Sequence, residues 1–260
     1  MFKDETSTSI ESAEVSVSCA QLCLGTNRPN CETSAIKLFE AAANNGQLEV
    51  LQWGQSSGYE LETMLEKEDI AEAAWYGHLV EEVVKYLRKL SISWDEGTCA
   101  STAMNGHLQL LKWVRANQCP WNERTCSNAA GNGHLELLKW ARLNQCPWNE
   151  ERCAQAASNG HLKLLKWARV NQRPWDVKTC TFAALNGRLE LLKWARMNQY
   201  PWDKKTCSYA AGNGHLVLLK WARLNGCPWD ANAYALGLDN GDPALMQYLE
   251  DHGCPLPMQE

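Results

Sequence analysis

The 260-residue chain has no run of about eighteen consecutive apolar residues, so nothing in its hydropathy reads as a membrane-spanning helix. Its N-terminus lacks the basic start and apolar core of a secretory signal; Met1 to Ser18 is instead Ser/Thr-rich and acidic. There is no glycine-rich phosphate loop and no nucleophile-elbow pattern. Carboxylates such as Glu123, Glu136 and Glu150 recur at fixed positions rather than converging singly. These absences predict a soluble, intracellular chain, cytoplasmic with a nuclear setting left open, that is a monomer, not an enzyme, and holds no cofactor and no metal.

What is present is unevenly spread. The formal net charge is −5, yet residues 1–97 carry 7 Lys/Arg against 17 Asp/Glu, residues 98–232 carry 18 against 8, and residues 233–260 carry none against 5. Exposed charges are screened over about 8–10 Å in cellular salt, so a basic centre between acidic ends acts locally. Such a centre can attract an anionic partner.

The dominant signal is periodic. Trp113, Trp140, Trp167, Trp194 and Trp221 follow one another every 27 residues, each after a Lys, and Tyr86 and Tyr248 continue the step at either end. Gly106, Gly133, Gly160, Gly187, Gly214 and Gly241 keep the same register, each preceded by Asn. In one unit, Thr125 to Glu151, a small-residue segment ends at Asn132-Gly133, where glycine can adopt the left-handed conformation that terminates a helix. Next, Leu135, Leu137, Leu138, Trp140 and Ala141 recur at three- and four-residue steps with Glu136, Lys139 and Arg142 between them, the pattern of an amphipathic helix. Pro147 follows the end of that helix, and Trp148 supplies a large apolar anchor for the linker. Each unit is therefore a helix pair, too small to bury its own apolar face, so neighbours must stack.

The segment Ala129 to Lys139 (A-A-G-N-G-H-L-E-L-L-K) resembles the ankyrin-repeat consensus around its second helix, and Asn225 to Asp230 (N-G-C-P-W-D) takes the place of the ankyrin turn. The resemblance runs from Ser34 to Pro255 and implies an all-α, ankyrin-like solenoid of about eight stacked helix pairs. Two departures stand out. The usual unit has about 33 residues, so the β-hairpin finger shrinks to a tight loop, and the family's Thr-Pro-Leu-His helix start is replaced by Thr-Cys. The organisation reads as a disordered acidic leader (1–32), two divergent repeats (33–97), five regular repeats (98–232) and a capping repeat (233–260). In the cap, Asp242 and Pro243 read as N-cap and first helical residue.

The histidines His107, His134, His161 and His215 form a ladder rather than a metal site. Equivalent positions of stacked helices lie roughly 8–10 Å apart, whereas a zinc ligand sits about 2 Å from the ion. The position is filled by Arg188, Gln47 and Asp242 in other units, so it reads as a helix-junction residue. Cys99, Cys126, Cys153, Cys180 and Cys207 share one register position, and Cys119, Cys146, Cys227 and Cys254 a second. They read as small buried thiols rather than as a disulfide framework. Cys19, Cys23 and Cys31 fall outside the register and have no close histidine. The tryptophans read as inter-repeat core and Lys139 with Arg142 as a solvated face. Stacked along five units, however, such Lys/Arg pairs form a basic stripe that makes nucleic acid an alternative partner.

Specificity can be encoded only where packing does not decide the residue. One column of the first helix varies: Ser101, Asn128, Gln155, Phe182, Tyr209. In ankyrin proteins, which this chain resembles, the first helix lines the concave side. The adjoining loops change from Glu123-Arg124 and Glu150-Glu151 to Val177-Lys178 and Lys204-Lys205. The column together with Lys178, Lys204 and Lys205 is the expected partner-binding set: aromatic anchors with a basic rim, suited to an acidic protein segment.

Overall fold

The computed structural model describes residues 31–76, 81–148, 152–171 and 177–257. Most of the expected leader, and with it Cys19 and Cys23, lies outside the described residues. All regular structure among those residues is helical. The chain divides into two compact units, one of residues 1–129 with 139–147 and the other of residues 130–138 with 148–260.

The first unit opens with α1 (Cys31–Asn44), α2 (Leu48–Ser56) and a single extra turn, α3 (Leu61–Met64), followed by the pairs α4 (Lys67–Tyr76) with α5 (Glu81–Lys89) and α6 (Glu96–Met104) with α7 (Leu108–Ala116). The helices α8 (Glu123–Gly131) and α9 (Leu135–Leu143) contribute residues to both units. The second unit continues with α10 (Arg152–Ser158), α11 (Leu162–Val170), α12 (Val177–Leu185), α13 (Leu189–Met197), α14 (Lys204–Gly212), α15 (Leu216–Leu224), α16 (Ala231–Asn240) and α17 (Pro243–Asp251). Eight helix pairs result, as the period implies. The extra turn α3 is the element that the repeat pattern did not announce.

Within each unit the first helices pack side by side. In the first unit α1 packs on α4 and α4 on α6; in the second, α10, α12, α14 and α16 follow one another in the same way. The core is the line between first and second helices. Cys99, Ala103, Leu111 and Val114 are completely buried in the first unit, and Cys180, Ala183, Ala184, Leu192 and Ala195 in the second. Small residues on the first helix let its neighbours approach, and the two leucines and one small residue of the second helix fill the space between pairs.

The ends of the elements are built by the residues that the sequence singles out. Gly133 has φ +77°, and a Cβ there would lie 2.5 Å from the His161 ring, so both backbone conformation and close packing demand glycine. The Asp242 carboxylate accepts from the Ala244 amide at 2.9 Å, with Pro243 in the first turn. Asp95 and Asp203 cap α6 and α14 in the same way, accepting from Gly97 (2.7 Å) and Lys205 (3.0 Å). The linkers between described pairs hold no strand, so the finger is a tight loop there.

Candidate interaction face

The framework uses up most of the chemistry that looks functional in the sequence. His107 Nε2 lies 3.2 Å from the Trp75 carbonyl, and His215 Nε2 3.1 Å from that of Leu185. Arg188 Nε donates to the Ser158 carbonyl at 3.1 Å from the equivalent position. In each case a side chain of one repeat satisfies a carbonyl at the C-terminal end of the previous repeat's first helix, a group with no partner inside its own helix. Burial, together with nearby His134 and Arg188, lowers the His161 pKa below the ordinary imidazole value. Among the described residues no three His, Cys, Asp or Glu side chains are grouped to hold a metal ion.

The register cysteines are free and buried at Cys99, Cys119, Cys126, Cys146, Cys180, Cys207, Cys227 and Cys254; Cys153 lies outside the described side chains. Each linker thiol, for example Cys119 with the Asp95 carbonyl at 3.4 Å, is directed at backbone of the preceding loop. Burial pushes Cys180 up to about 12 and Cys254 up to about 11. The facing thiols of Cys119 and Cys227, added to burial, raise Cys99 and Cys207 as well. Protonated, enclosed thiols of this kind are inert.

The arginine of the second helix is also structural. Arg115 donates to the Cys119 carbonyl and stacks 4.2 Å over Trp121; Arg142 donates to the Cys146 carbonyl. In the second unit Arg196 donates to the Tyr200 carbonyl and lies 4.1 Å over Trp202, and Arg223 repeats both contacts with Cys227 and Trp229. The linker tryptophans then meet the next second helix: Trp121 to Trp140 at 5.9 Å and Trp202 to Trp221 at 6.0 Å, both edge-on. The tryptophans bridge neighbouring repeats as expected, but as half-buried rings at the edge of the packing rather than as its core. The arginine half of the expected solvated face is half-buried at Arg115, Arg142, Arg196 and Arg223, because it closes the loop that ends its own helix.

The first-helix face remains. In the second unit Gln155, Phe182 and Tyr209 occupy one register position on the neighbouring helices α10, α12 and α14. Gln155 is exposed, and Phe182 and Tyr209 are half-buried. Lys178 and Lys205 lie four residues before the two aromatics, hence on the same helix face, and both are exposed. Lys204 points elsewhere: its ammonium is 2.8 Å from the Asp230 carboxylate of the next repeat. That pairing raises the Lys204 pKa and lowers that of Asp230. In the first unit Ser101 is half-buried, and Asn128 donates to the Ala100 carbonyl at 3.0 Å, tying α8 to α6. Phe182 and Tyr209 thus share a face with two lysines, whereas Ser101 and Asn128 belong to the other unit.

The column extends further than the sequence suggests. Glu72 on α4 stands at the Ser101 position of its own repeat and Glu68 at the position of Lys178 and Lys205, so on α4 this face is acidic, whereas α8 places Arg124 at the second of these positions. Trp75, 40% exposed, and Tyr76, 52% exposed, complete the α4 face. A further exposed column, Val170, Met197 and Leu224, ends the second helices of the second unit.

No family profile and no curated protein matches the chain. Solved structures do: 180 chains match, among them the crystal structure of the human ASB11 ankyrin repeat domain. That match has a TM-score of 0.55 at 14% identity and covers 72% of this chain and 99% of the other. The fold is ankyrin-like. Its regular repeats are shortened to 27 residues, with a loop where the finger would stand in the described linkers. No helix among the described residues is long and apolar enough to cross a membrane.

Proposed function

We propose that this ankyrin-like chain is a non-catalytic scaffold that binds protein partners through its first-helix face, with Phe182 and Tyr209 as anchors and Lys178 and Lys205 as a basic rim for an acidic segment. Lys204, the third lysine of the expected rim, is held by Asp230 away from that face. One observation carries the reading: the buried positions of the first helices recur from repeat to repeat, as at Cys99, Cys126, Cys180 and Cys207, while the position two residues on, never fully buried, runs Ser101, Asn128, Gln155, Phe182 and Tyr209. A residue that packing does not fix is available for recognition. Half-buried aromatics flanked by exposed lysines are the surface on which binding energy concentrates. A standard interface buries about 800 Å² per partner, so adjacent repeats must act together.

Binding of nucleic acid through the second helices is the weaker reading. Arg196 and Arg223, two of the cations it would need, are engaged with Trp202, Trp229 and linker carbonyls.

Affinity capture with mass spectrometry, comparing the wild type with Phe182→Ala/Tyr209→Ala, tests the proposal. Loss from the variant of a protein that the wild type retains in moderate salt, with helicity and melting unchanged, is the expected outcome. Identical capture by both proteins contradicts it, and so does a retained species that is nucleic acid and dissociates steeply as salt rises.

A further inference from the structure

The first-helix face of the first unit holds a groove of about 420 Å³ lined by Glu68, Ala71, Glu72, Trp75, Tyr76 and Ser101. This volume lies within the range of ligand pockets, about 300–1,000 Å³. Two features make it more than a gap between helices. First, its aromatic walls are exposed: Trp75 takes the position held by Met104, Gly131, Ser158, Leu185 and Gly212 in the regular repeats, none of them aromatic. Second, the backbone at its aromatic end is fixed to the next repeat, since Asn105 Nδ2 donates to the Trp75 carbonyl at 2.6 Å and His107 Nε2 lies 3.2 Å from the same atom. The backbone that carries the ring is thus placed before any partner arrives, which lowers the cost of binding.

The sign of the surroundings selects the occupant. Glu68 and Glu72 line the groove, and Asp69 lies beside them on α4. Burial raises the Asp69 pKa, the hydrogen bond from the Glu66 amide opposes this, and the carboxylates of Glu40, Glu72 and Glu66 add to the rise, a mark of the like charge crowded around α4. The basic residue of α4, Lys67, is 3.2 Å from Asp95 and 3.8 Å from Glu68 and is shared between them. Glu72 accepts one hydrogen bond from Asn44 at 2.6 Å, an uncharged donor that leaves its charge in place. Two aromatic faces beside carboxylates suit a guanidinium or ammonium group, which gains from the ring and from the charge together. The leader of this chain carries Asp4, Glu5, Glu11 and Glu14 against Lys3 and Arg28, the wrong sign to fill the groove.

We propose that the groove formed by Trp75, Tyr76, Glu68 and Glu72 is a docking site for an Arg/Lys-rich protein segment, separate from the face around Phe182 and Tyr209. The basic side chain lies along the exposed rings and its charged end meets the two glutamates. Attraction is strongest at low ionic strength and weakens with salt, while the aromatic contribution persists.

Fluorescence anisotropy of the full chain with fluorescein-labelled oligo-arginine tests this, with labelled oligo-glutamate as the control. Wild type is expected to bind oligo-arginine saturably. Trp75→Ala and Glu68→Gln/Glu72→Gln are each expected to weaken it tenfold or more with unchanged helicity, and Phe182→Ala/Tyr209→Ala to leave it unaltered. Since Trp75→Ala can disturb the end of α4, the glutamine pair, which keeps shape and removes charge, serves as the second arm. Equal affinity in wild type and both groove variants would mean diffuse attraction to an acidic chain and would overturn the proposal. So would the absence of saturable binding to wild type.

Discussion

The same helix face carries opposite charge on α4 of the first unit and on α12 and α14 of the second. In the first, α4 presents Glu68, Glu72 and Trp75; in the second, α12 and α14 present Lys178 with Phe182 and Lys205 with Tyr209 at the matching positions. Behind these faces the framework is the same. An arginine closes the linker over a tryptophan at Arg115 and at Arg196, and a histidine reaches back to the previous repeat at His107 and at His215. A structure whose stability is set by the repeated positions can therefore change sign at the varying ones without refolding, because exposed charges contribute little to stability.

If the frameworks are equivalent, equal damage to each should cost the same. Leu111 and Leu192 are both completely buried at one register position. Leu111→Ala and Leu192→Ala should each destabilise by about 2–5 kcal/mol, the cost of a buried leucine and its cavity. Urea denaturation followed by circular dichroism checks this; a large effect in one unit and none in the other would break the comparison.

A smaller effect asks whether the basic character of the second unit reaches its interior. His161 has a pKa lowered by burial and by the neighbouring His134 and Arg188. Above the ordinary value of 6.5 the imidazole is neutral in both the folded and the unfolded chain. As pH falls through that value the unfolded chain gains the proton first, so stability declines until the lower folded pKa has been passed. His161→Gln, which installs the residue found at Gln47, should flatten the decline between neutral and mildly acidic pH. An identical pH slope in variant and wild type would show that His161 does not carry it.

Much of this was legible in the residues. The left-handed glycine at Gly133, the Asp242-Pro243 cap and the buried thiols follow from spacing and side-chain chemistry, and the structure bears them out. The role of the second-helix arginine was not legible, because a Lys-Trp-Ala-Arg string looks like any solvated helix edge until the linker is seen folding back beneath the guanidinium. The acidic groove was hidden for another reason. Two extra residues between Gly77 and Tyr86 break the 27-residue step, so the varying column appears to begin at Ser101 although Glu72 precedes it. Trp75 was unremarked because a tryptophan at the position of Gly131 matches no part of the repeat.

The central claim is that one framework carries two faces of opposite charge that act separately. The direct test is a charge exchange, reading anisotropy of labelled oligo-arginine and oligo-glutamate on Glu68→Lys/Glu72→Lys and on Lys178→Glu/Lys205→Glu. The account predicts that the first variant loses oligo-arginine and keeps the wild-type response to oligo-glutamate at the second face, while the second variant loses oligo-glutamate and keeps oligo-arginine. If each variant shifts both probes alike, following net charge alone, the two faces are not separate sites and the account is wrong.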